Sequence, residues 1–420
     1  MRTAPGNDPA ALRLHGLGTW SHGTGTLNDE KEQFMRRITF AAAGVALALT
    51  LAACSGGGAG GGSGSTGTAS AGGNDGKGTL VGVAMPTQTS ERWIADGNAV
   101  KKGLEDAGYK VDLEYGNDDI PTQQQQIDQM ITKGAGLLIV ASIDGTALAN
   151  QLQAAADKKI PVIAYDRLIR DSNNVDFYVT FDNYKVGVQQ ATSLLTGLGL
   201  VKADGSKGDK TGPFNVELFA GSLDDNNAHF FWQGAMDTLK PYMDSGAIVV
   251  PSGQVTIEKA AILRWQQETA QQRMENLLTS TYSSGKKVDG VLSPYDGLSR
   301  GIITALQNDP SNKYGSSVPM PIVTGQDAEI ASVKLINDGV QYSTIFKDTR
   351  KLAEQAVVAS KAFLGGQTPE PNDTKSYDNG KKVVPSFLLQ SDIVDKDKIK
   401  PLLIDSGYWT ADEVAAGKAS

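Results

Sequence analysis

The sequence predicts an α/β protein made of two doubly wound lobes joined by several crossings of the chain. Three observations lead there. Short, continuously apolar runs alternate with amphipathic helical stretches almost to the end, the pattern of parallel strands covered on both faces. The same alternation restarts after Asn183, following a first complete series. The stretch from Thr79 to Ser420 also exceeds the size at which one hydrophobic core usually keeps growing.

Taken in order, residues 79–85 (TLVGVAM) read as a buried strand and 91–107 as a helix. Residues 110–115 read as a second strand, and 121–133 as a polar helix with Ile127, Met130 and Ile131 on one side. A third strand over 136–141, a helix over 146–158 and a fourth strand over 161–165 complete the first series. In the second series, strands are expected at 214–219, 248–250, 288–292, 322–324 and 343–346, with a surface loop over 205–213. A late strand over 383–389 follows a long Pro/Asp/Lys-rich connection. Crossings between lobes are placed near Asp182, Lys347 and Pro385. One lobe is then 79–182 plus 348–385 and the other 183–347 plus 386–420.

The segment before Thr79 has a different character. From Met35 the chain reads MRRITFAAAGVALALTLAAC: two arginines, an apolar run, small residues and Cys54. This is the plan of a secretory signal over 35–54, and Leu51-Ala52-Ala53-Cys54 fits a lipobox whose cysteine is lipidated. The apolar run is shorter than the roughly 20 residues a spanning helix needs. Residues 1–34 show no helical or strand period, and we read them as a gene-model extension with translation starting at Met35. Residues 55–78, mostly Gly, Ser, Ala and Thr, read as a flexible tether. One acyl site on a tether anchors a protein to a membrane without spanning it. The expected location is therefore extracytoplasmic, on the outer face of the cytoplasmic membrane.

Composition excludes several function classes. Cys54 is the only cysteine, so no internal disulfide and no thiolate metal site is available. His229 is the only histidine after the signal, which excludes a multi-histidine metal site or a histidine relay. The net charge is −8 with no Lys/Arg cluster, so nucleic acid is not an expected partner. No GxxxxGK[ST], HExxH, CxxC or GxSxG motif occurs, and no cofactor or metal is expected.

In open parallel sheets, ligands bind beyond the carboxyl ends of the strands. The residues following the predicted strands are Arg92 and Trp93; Ser142, Ile143 and Asp144; Asp166 and Arg167; Asp224 to Asn227; Tyr295 and Asp296; Gln326 and Asp327; and Lys347 and Asp348. Any single Asp or Asn there is more often a helix cap than a ligand. Caps do not explain two arginines, a tryptophan and a lysine arriving at the same edge in both lobes. A polar cleft with mixed charge suits a neutral polyol, since carboxylates accept from hydroxyls and guanidinium donates in a planar fork. Trp265, in Leu263-Arg264-Trp265-Gln266, is open equally to core packing and to ligand contact.

The motifs AMPTQTSERWIADG, ASIDGT, VIAYDRLI, TFDNYKVG, ELFAGSLDDNNA, LSPYDGLS, TGQDAE and YSTIFKDTR resemble those of multiple-monosaccharide-binding proteins of bacterial ABC sugar importers. These are relatives of the xylose-, ribose- and galactose-binding receptors in the type I periplasmic binding protein superfamily. The resemblance runs from about Gly78 to Tyr408. It implies two Rossmann-like lobes, a three-segment hinge and a sugar in the cleft. By the same resemblance, Arg92 and Trp93 contact the sugar, while Asp166 and Arg167 bind its hydroxyls and ring oxygen. Asp225 and Asn227 contribute from the second lobe, and Asp296, Asp327 and Lys347 are later contacts. Trp265 corresponds to a stacking aromatic, with Asp144 and Asn226 as contacts of lower rank.

The function implied is a solute-binding lipoprotein, a monomer and not an enzyme. It captures an aldopentose or aldohexose by hinge closure and hands it to ABC permease transmembrane subunits. The alternative is a sugar receptor for chemotaxis or signalling. A glycosidase would need a carboxylate pair at set separation across the scissile bond. A sugar-responsive regulator would need a DNA-binding module where this chain has an export signal.

Overall fold

A computed structural model describes residues 76–419. The extension 1–34, the signal 35–54 with Cys54, and all but the end of the tether 55–78 lie outside the described residues.

The first sheet is laid down by β1 (Leu80–Met85), β2 (Lys110–Tyr115), β3 (Leu137–Val140), β4 (Val162–Tyr165) and β5 (Phe177–Phe181), with α1 (Glu91–Asp106), α2 (Ile120–Thr132) and α3 (Ala149–Asp157) between them. Strands β1, β3 and β4 are continuously apolar because both faces are covered, while the edge strand β2 (KVDLEY) is only part-buried. Val81, Val83 and Met85 pack toward one core with Val100 and Leu104 of α1. Ala84, between them, faces the opposite core with Ile127 and Met130 of α2 and Leu152 of α3. Helix α2 starts where Asp119 accepts from the Thr122 N–H at 2.9 Å, with proline in its first turn.

The chain passes into the second lobe at Asp182, which caps α4 (Asn183–Leu198) by accepting from the Lys185 N–H. Next come β6 (Phe214–Leu218), α5 (Asn226–Asp244), β7 (Ile248–Val249), the short α6 (Ile257–Ala260), α7 (Gln267–Thr281), β8 (Gly290–Leu292), α8 (Asp296–Gln307), β9 (Ile322–Val323), α9 (Ile330–Asn337) and β10 (Thr344–Phe346). Strands β6 to β9 form a parallel sheet in the order β7-β6-β8-β9. A second passage at residues 347–348 leads into α10 (Thr349–Leu364), whose Leu352, Ala353, Ala356 and Ala359 pack in the α1 core. The remaining elements are β11 (Ser386–Leu389), β12 (Asp392–Val394), the one-turn α11 (Lys396–Lys398) and α12 (Ala411–Ala416). Val394, Leu403 and Val414 of this tail pack with Ile330, Val333 and Ile336 of α9.

Three features depart from the sequence reading. The strand β5 is absent from it, because residues 177–181 follow a polar turn and lead straight into a helix. Strand β10 does not continue the second series as a parallel strand: it pairs antiparallel with β12 in a two-stranded ribbon. The third crossing is not at Pro385. Strand β11 pairs parallel with β5, completing a six-stranded first sheet of order β11-β5-β4-β3-β1-β2, so residues 386–389 belong to the first lobe. The last passage is therefore at residues 390–391, between β11 and β12. The expected strand 383–389 already spans this proline, which lacks a donor and can join a ladder only through its carbonyl. Here Pro385 supplies only its carbonyl, which accepts from the Tyr178 N–H at 3.0 Å, so the ladder begins on it.

Candidate ligand-binding cleft

The strand ends of both lobes converge on a cavity of about 370 Å³. Arg92 projects from the first turn of α1, and Asp96 one turn later receives its Nε and Nη2 at 3.0 and 2.7 Å. That leaves the other edge of the guanidinium facing the cleft. Its Nη2 also donates to Asp166 Oδ2 at 3.0 Å, and its Nη1 lies 3.7 Å from Asp327 Oδ1. Burial pushes the Asp96 carboxyl up to about 6, against the pull of Arg92.

Asp166 follows β4 directly and adopts a left-handed backbone with φ of 60°. The conformation is held from several sides. Its N–H donates to the Val179 carbonyl, while its own carbonyl accepts from Tyr178 Oη, Thr180 Oγ1 and Asn227 Nδ2. Strain of this kind persists only where surroundings over-determine it, and it recurs across the cleft at Asp327 (φ 93°) and at the successive pair Arg264 and Trp265 (φ 56° and 55°). Burial alone would raise the Asp166 carboxyl; Arg92, Lys347 and Arg167 outweigh it and hold the group below the usual carboxylate range. Asp166 is thus a fixed anion aimed at the cavity, a ready acceptor for hydroxyl protons.

The second lobe supplies matching groups. Lys347, at the end of β10, places Nζ 2.9 Å from Asp327 Oδ1. Asp225 caps α5 by accepting from the Asn227 N–H at 2.9 Å and also pairs with Arg167 across the lobes at 3.1 Å. Burial raises the Asp225 carboxyl despite Arg167. Asn227 reaches across to the Asp166 carbonyl and to Tyr178 Oη at 2.8 and 2.9 Å. With Arg264 Nη1 donating to the Ile143 carbonyl at 3.2 Å, these contacts define a closed arrangement of the lobes.

Arg92, Trp93, Asp166, Arg167, Asp225, Asn227, Trp265, Asp327 and Lys347 all line the cavity. Trp93 is only 5% exposed and carries the Arg92 and Arg167 guanidinium groups over its ring at 4.4 and 5.2 Å, so it holds the arginines in place. Phe231, Trp265 and Tyr295 are further aromatic surfaces of the cavity. Nε1 of Trp265 is buried without a hydrogen-bond partner, while Nε of Arg167 and Oδ1 of Asp327 meet ion-pair partners only, Asp225 at 3.1 Å and Lys347 at 2.9 Å. A buried polar atom without a partner calls for an explanation, and Trp265 places one at the cavity.

Three expected contacts lie outside the lining. Asp144 accepts from the N–H and Oγ1 of Thr146, both at 2.8 Å, and closes its own turn. Asn226 begins α5 and is rotated away, whereas Asn227, the next residue, faces inward. Asp296 is wholly buried and accepts from Glu329 N, Gln341 Nε2 and Thr344 Oγ1 at 2.9–3.0 Å, knitting three segments together behind the wall. Burial, reinforced by Glu329, holds its carboxyl well above the usual range. The lining also takes in residues outside the expected contacts, among them Thr87, Phe231, Arg264, Tyr295, Arg300 and Gln326. Tyr295 and Gln326 belong to the strand-end residues read from the sequence, although the expected contacts fall on their neighbours Asp296 and Asp327. Arg300, a turn into α8, carries no such signal.

Among the described residues, no group of three or more His, Cys, Asp or Glu side chains is placed to hold a metal ion, and no helix is long and apolar enough to cross a membrane. Two lobes closing on a preformed polar cavity define a solute receptor.

Comparison with known proteins agrees. The model of the periplasmic binding protein domain family matches residues 81–368, and the chain belongs to that family. It is 56% identical over 338 residues to the multiple sugar-binding periplasmic receptor ChvE of Rhizobium radiobacter, covering 80% of this chain and 92% of that one. It is 35% identical to the D-xylose-binding periplasmic protein of Escherichia coli K12, over 80% of this chain and 93% of the relative. Among solved structures, an ABC transporter solute-binding protein from Clostridium phytofermentans with bound β-D-glucose matches with a TM-score of 0.75 and 48% identity, covering 80% of this chain and all of that one. The relatives are receptors, and this chain is a binding protein and not an enzyme.

Proposed function

We propose that this chain captures a monosaccharide, an aldopentose or aldohexose, between its lobes and delivers it to an ABC permease. The observation that carries the reading is the charge balance of the lining. Arg92, Arg167, Arg264, Arg300 and Lys347 face Asp118, Asp166, Asp225, Glu268 and Asp327, so donors and acceptors are abundant but no net charge is left to attract an ion. Hydroxyls satisfy both kinds of group, and hydrogen bonds to charged partners contribute about 1.5–3 kcal/mol each. A cavity of about 370 Å³ is at the small end for ligand sites and suits one sugar ring. The names of the relatives, which include sugar-binding and xylose-binding proteins and a glucose complex, support the same class. Calorimetric titration with D-glucose, D-galactose, D-xylose and L-arabinose tests the reading; saturable heat with at least one is expected, and none with any of them overturns it.

The receptor acts as a monomer held by an acyl group on Cys54 at the outer face of the cytoplasmic membrane. The support is the signal and lipobox pattern over residues 35–54. Wild-type protein expressed in a bacterial host is expected to partition into the detergent phase and Cys54→Ala into the aqueous phase. Identical partitioning removes the anchor from the proposal.

A further inference from the structure

Two short segments interlock across the cleft. Ser90, Glu91 and Arg92 open α1 in the first lobe, and residues 327–330 lead into α9 in the second. Ser90 Oγ donates to Glu329 Oε1, the Ile330 N–H donates to Glu91 Oε1 at 3.0 Å, and Arg92 Nη1 faces Asp327 Oδ1 at 3.7 Å. Glu329 is steadied from behind by Tyr295 Oη at 2.8 Å and Arg300 Nη2 at 2.7 Å. Glu329 precedes the first turn of α9, yet its side chain makes no capping bond to that helix. The cap comes from the other lobe, through Glu91.

A helix N-terminus leaves its first N–H groups without partners in the helix. In the closed form Glu91 satisfies one of them and adds a negative charge at the positive end of the helix dipole. When the lobes part, that bond is exchanged for one to water. Glu91 therefore interacts differently with the two states, the requirement for shifting a conformational equilibrium. It does so without lining the cavity, whereas Ser90 and Arg92 do line it.

We propose that Glu91 sets sugar affinity by capping α9 in trans, acting on closure and not on the sugar. The proposal rests on the monosaccharide reading of the cleft. A residue that changes only the population of the competent state scales every apparent dissociation constant by one factor. In the full chain, Glu91→Ala is expected to weaken D-glucose, D-galactose, D-xylose and L-arabinose alike by about tenfold, mostly through faster release, with their rank order kept. Glu91→Gln keeps an acceptor oxygen and is expected to stay within about threefold of wild type. The melting temperature without sugar is expected to be unchanged in both variants. Unchanged affinity in Glu91→Ala overturns the proposal, as does a loss confined to one sugar or an equal fall in melting temperature with and without sugar. Wild-type protein that binds none of the four overturns the monosaccharide reading itself, an outcome distinct from a silent Glu91→Ala.

Discussion

Replacing Asp166 with alanine is expected to remove most of the sugar-induced thermal stabilisation while the sugar-free protein stays folded. At a sugar concentration near 100 times the dissociation constant, wild-type protein gains about 2.7 kcal/mol, a rise in melting temperature on the order of 5 °C. The Asp166 carboxylate is the central acceptor of the cleft, shared by Arg92 at 3.0 Å and lying in the field of Lys347 and Arg167. Removing it leaves cations facing the cavity with one anion fewer, and truncating a buried charge partner costs about 2–5 kcal/mol. Affinity should accordingly fall by about 30-fold or more. The backbone sets a second requirement. Alanine tolerates a φ of 60° poorly, whereas asparagine adopts it readily and keeps one acceptor oxygen. Asp166→Asn should therefore match wild type in sugar-free stability and fall between wild type and alanine in affinity. Differential scanning fluorimetry with and without sugar reads both, and full stabilisation in Asp166→Ala would falsify the assignment of the site.

The second large effect is expected in the packing of two helices behind the cleft. Helices α4 and α5 approach so closely that a Cβ at Gly187 would collide with the Phe231 carbonyl, and one at Gly234 with the Tyr184 carbonyl. In each case the obstacle is backbone, which cannot rotate out of the way. Gly187→Val or Gly234→Val should cost about 3 kcal/mol and lower the melting temperature by roughly 4–6 °C. Sugar affinity should fall with it, because α5 carries Asp225 and Asn227 at its start and Phe231 within it. Gly103→Ala is the internal comparison. The atom that its Cβ would meet belongs to the Val357 side chain, and alanine favours the helix by about 1 kcal/mol, so little net change is expected. Equal melting temperatures for the Gly187, Gly234 and Gly103 variants would contradict the packing argument.

The alternation of apolar runs and helices was legible because the inner strands of the first sheet, β1, β3 and β4, are buried on both faces. Val81, Val83 and Met85 serve one core and Ala84 the other, so no polar residue interrupts the run. Arg92, Asp166, Arg167 and Asp327 could be picked out because parallel strands deliver the residues after them to one edge, and Lys347 because it ends β10, a strand of the antiparallel ribbon that reaches the same cavity. The same rule has a resolution of about one residue. It offers both Tyr295 and Asp296 where the cavity takes Tyr295, and both Asn226 and Asn227 where the cavity takes Asn227. One position on a helix is a rotation of about 100°, and the register that chooses between neighbours is set by packing.

What the sequence by itself determined is therefore local or repeated: strand runs, helix caps, the chemistry at strand ends and the family motifs. Each depends on residues a few positions apart. The tertiary structure decided the membership of β11, the ribbon of β10 and β12, and the turns at Asp166 and Asp327. It also decided the meeting of Glu91 with Ile330, 239 positions away. These are settled by partners remote in sequence. The left-handed backbone of Asp166 exists because Tyr178, Thr180 and Asn227 converge on one carbonyl, and no window of sequence contains all of them together with the reason they meet.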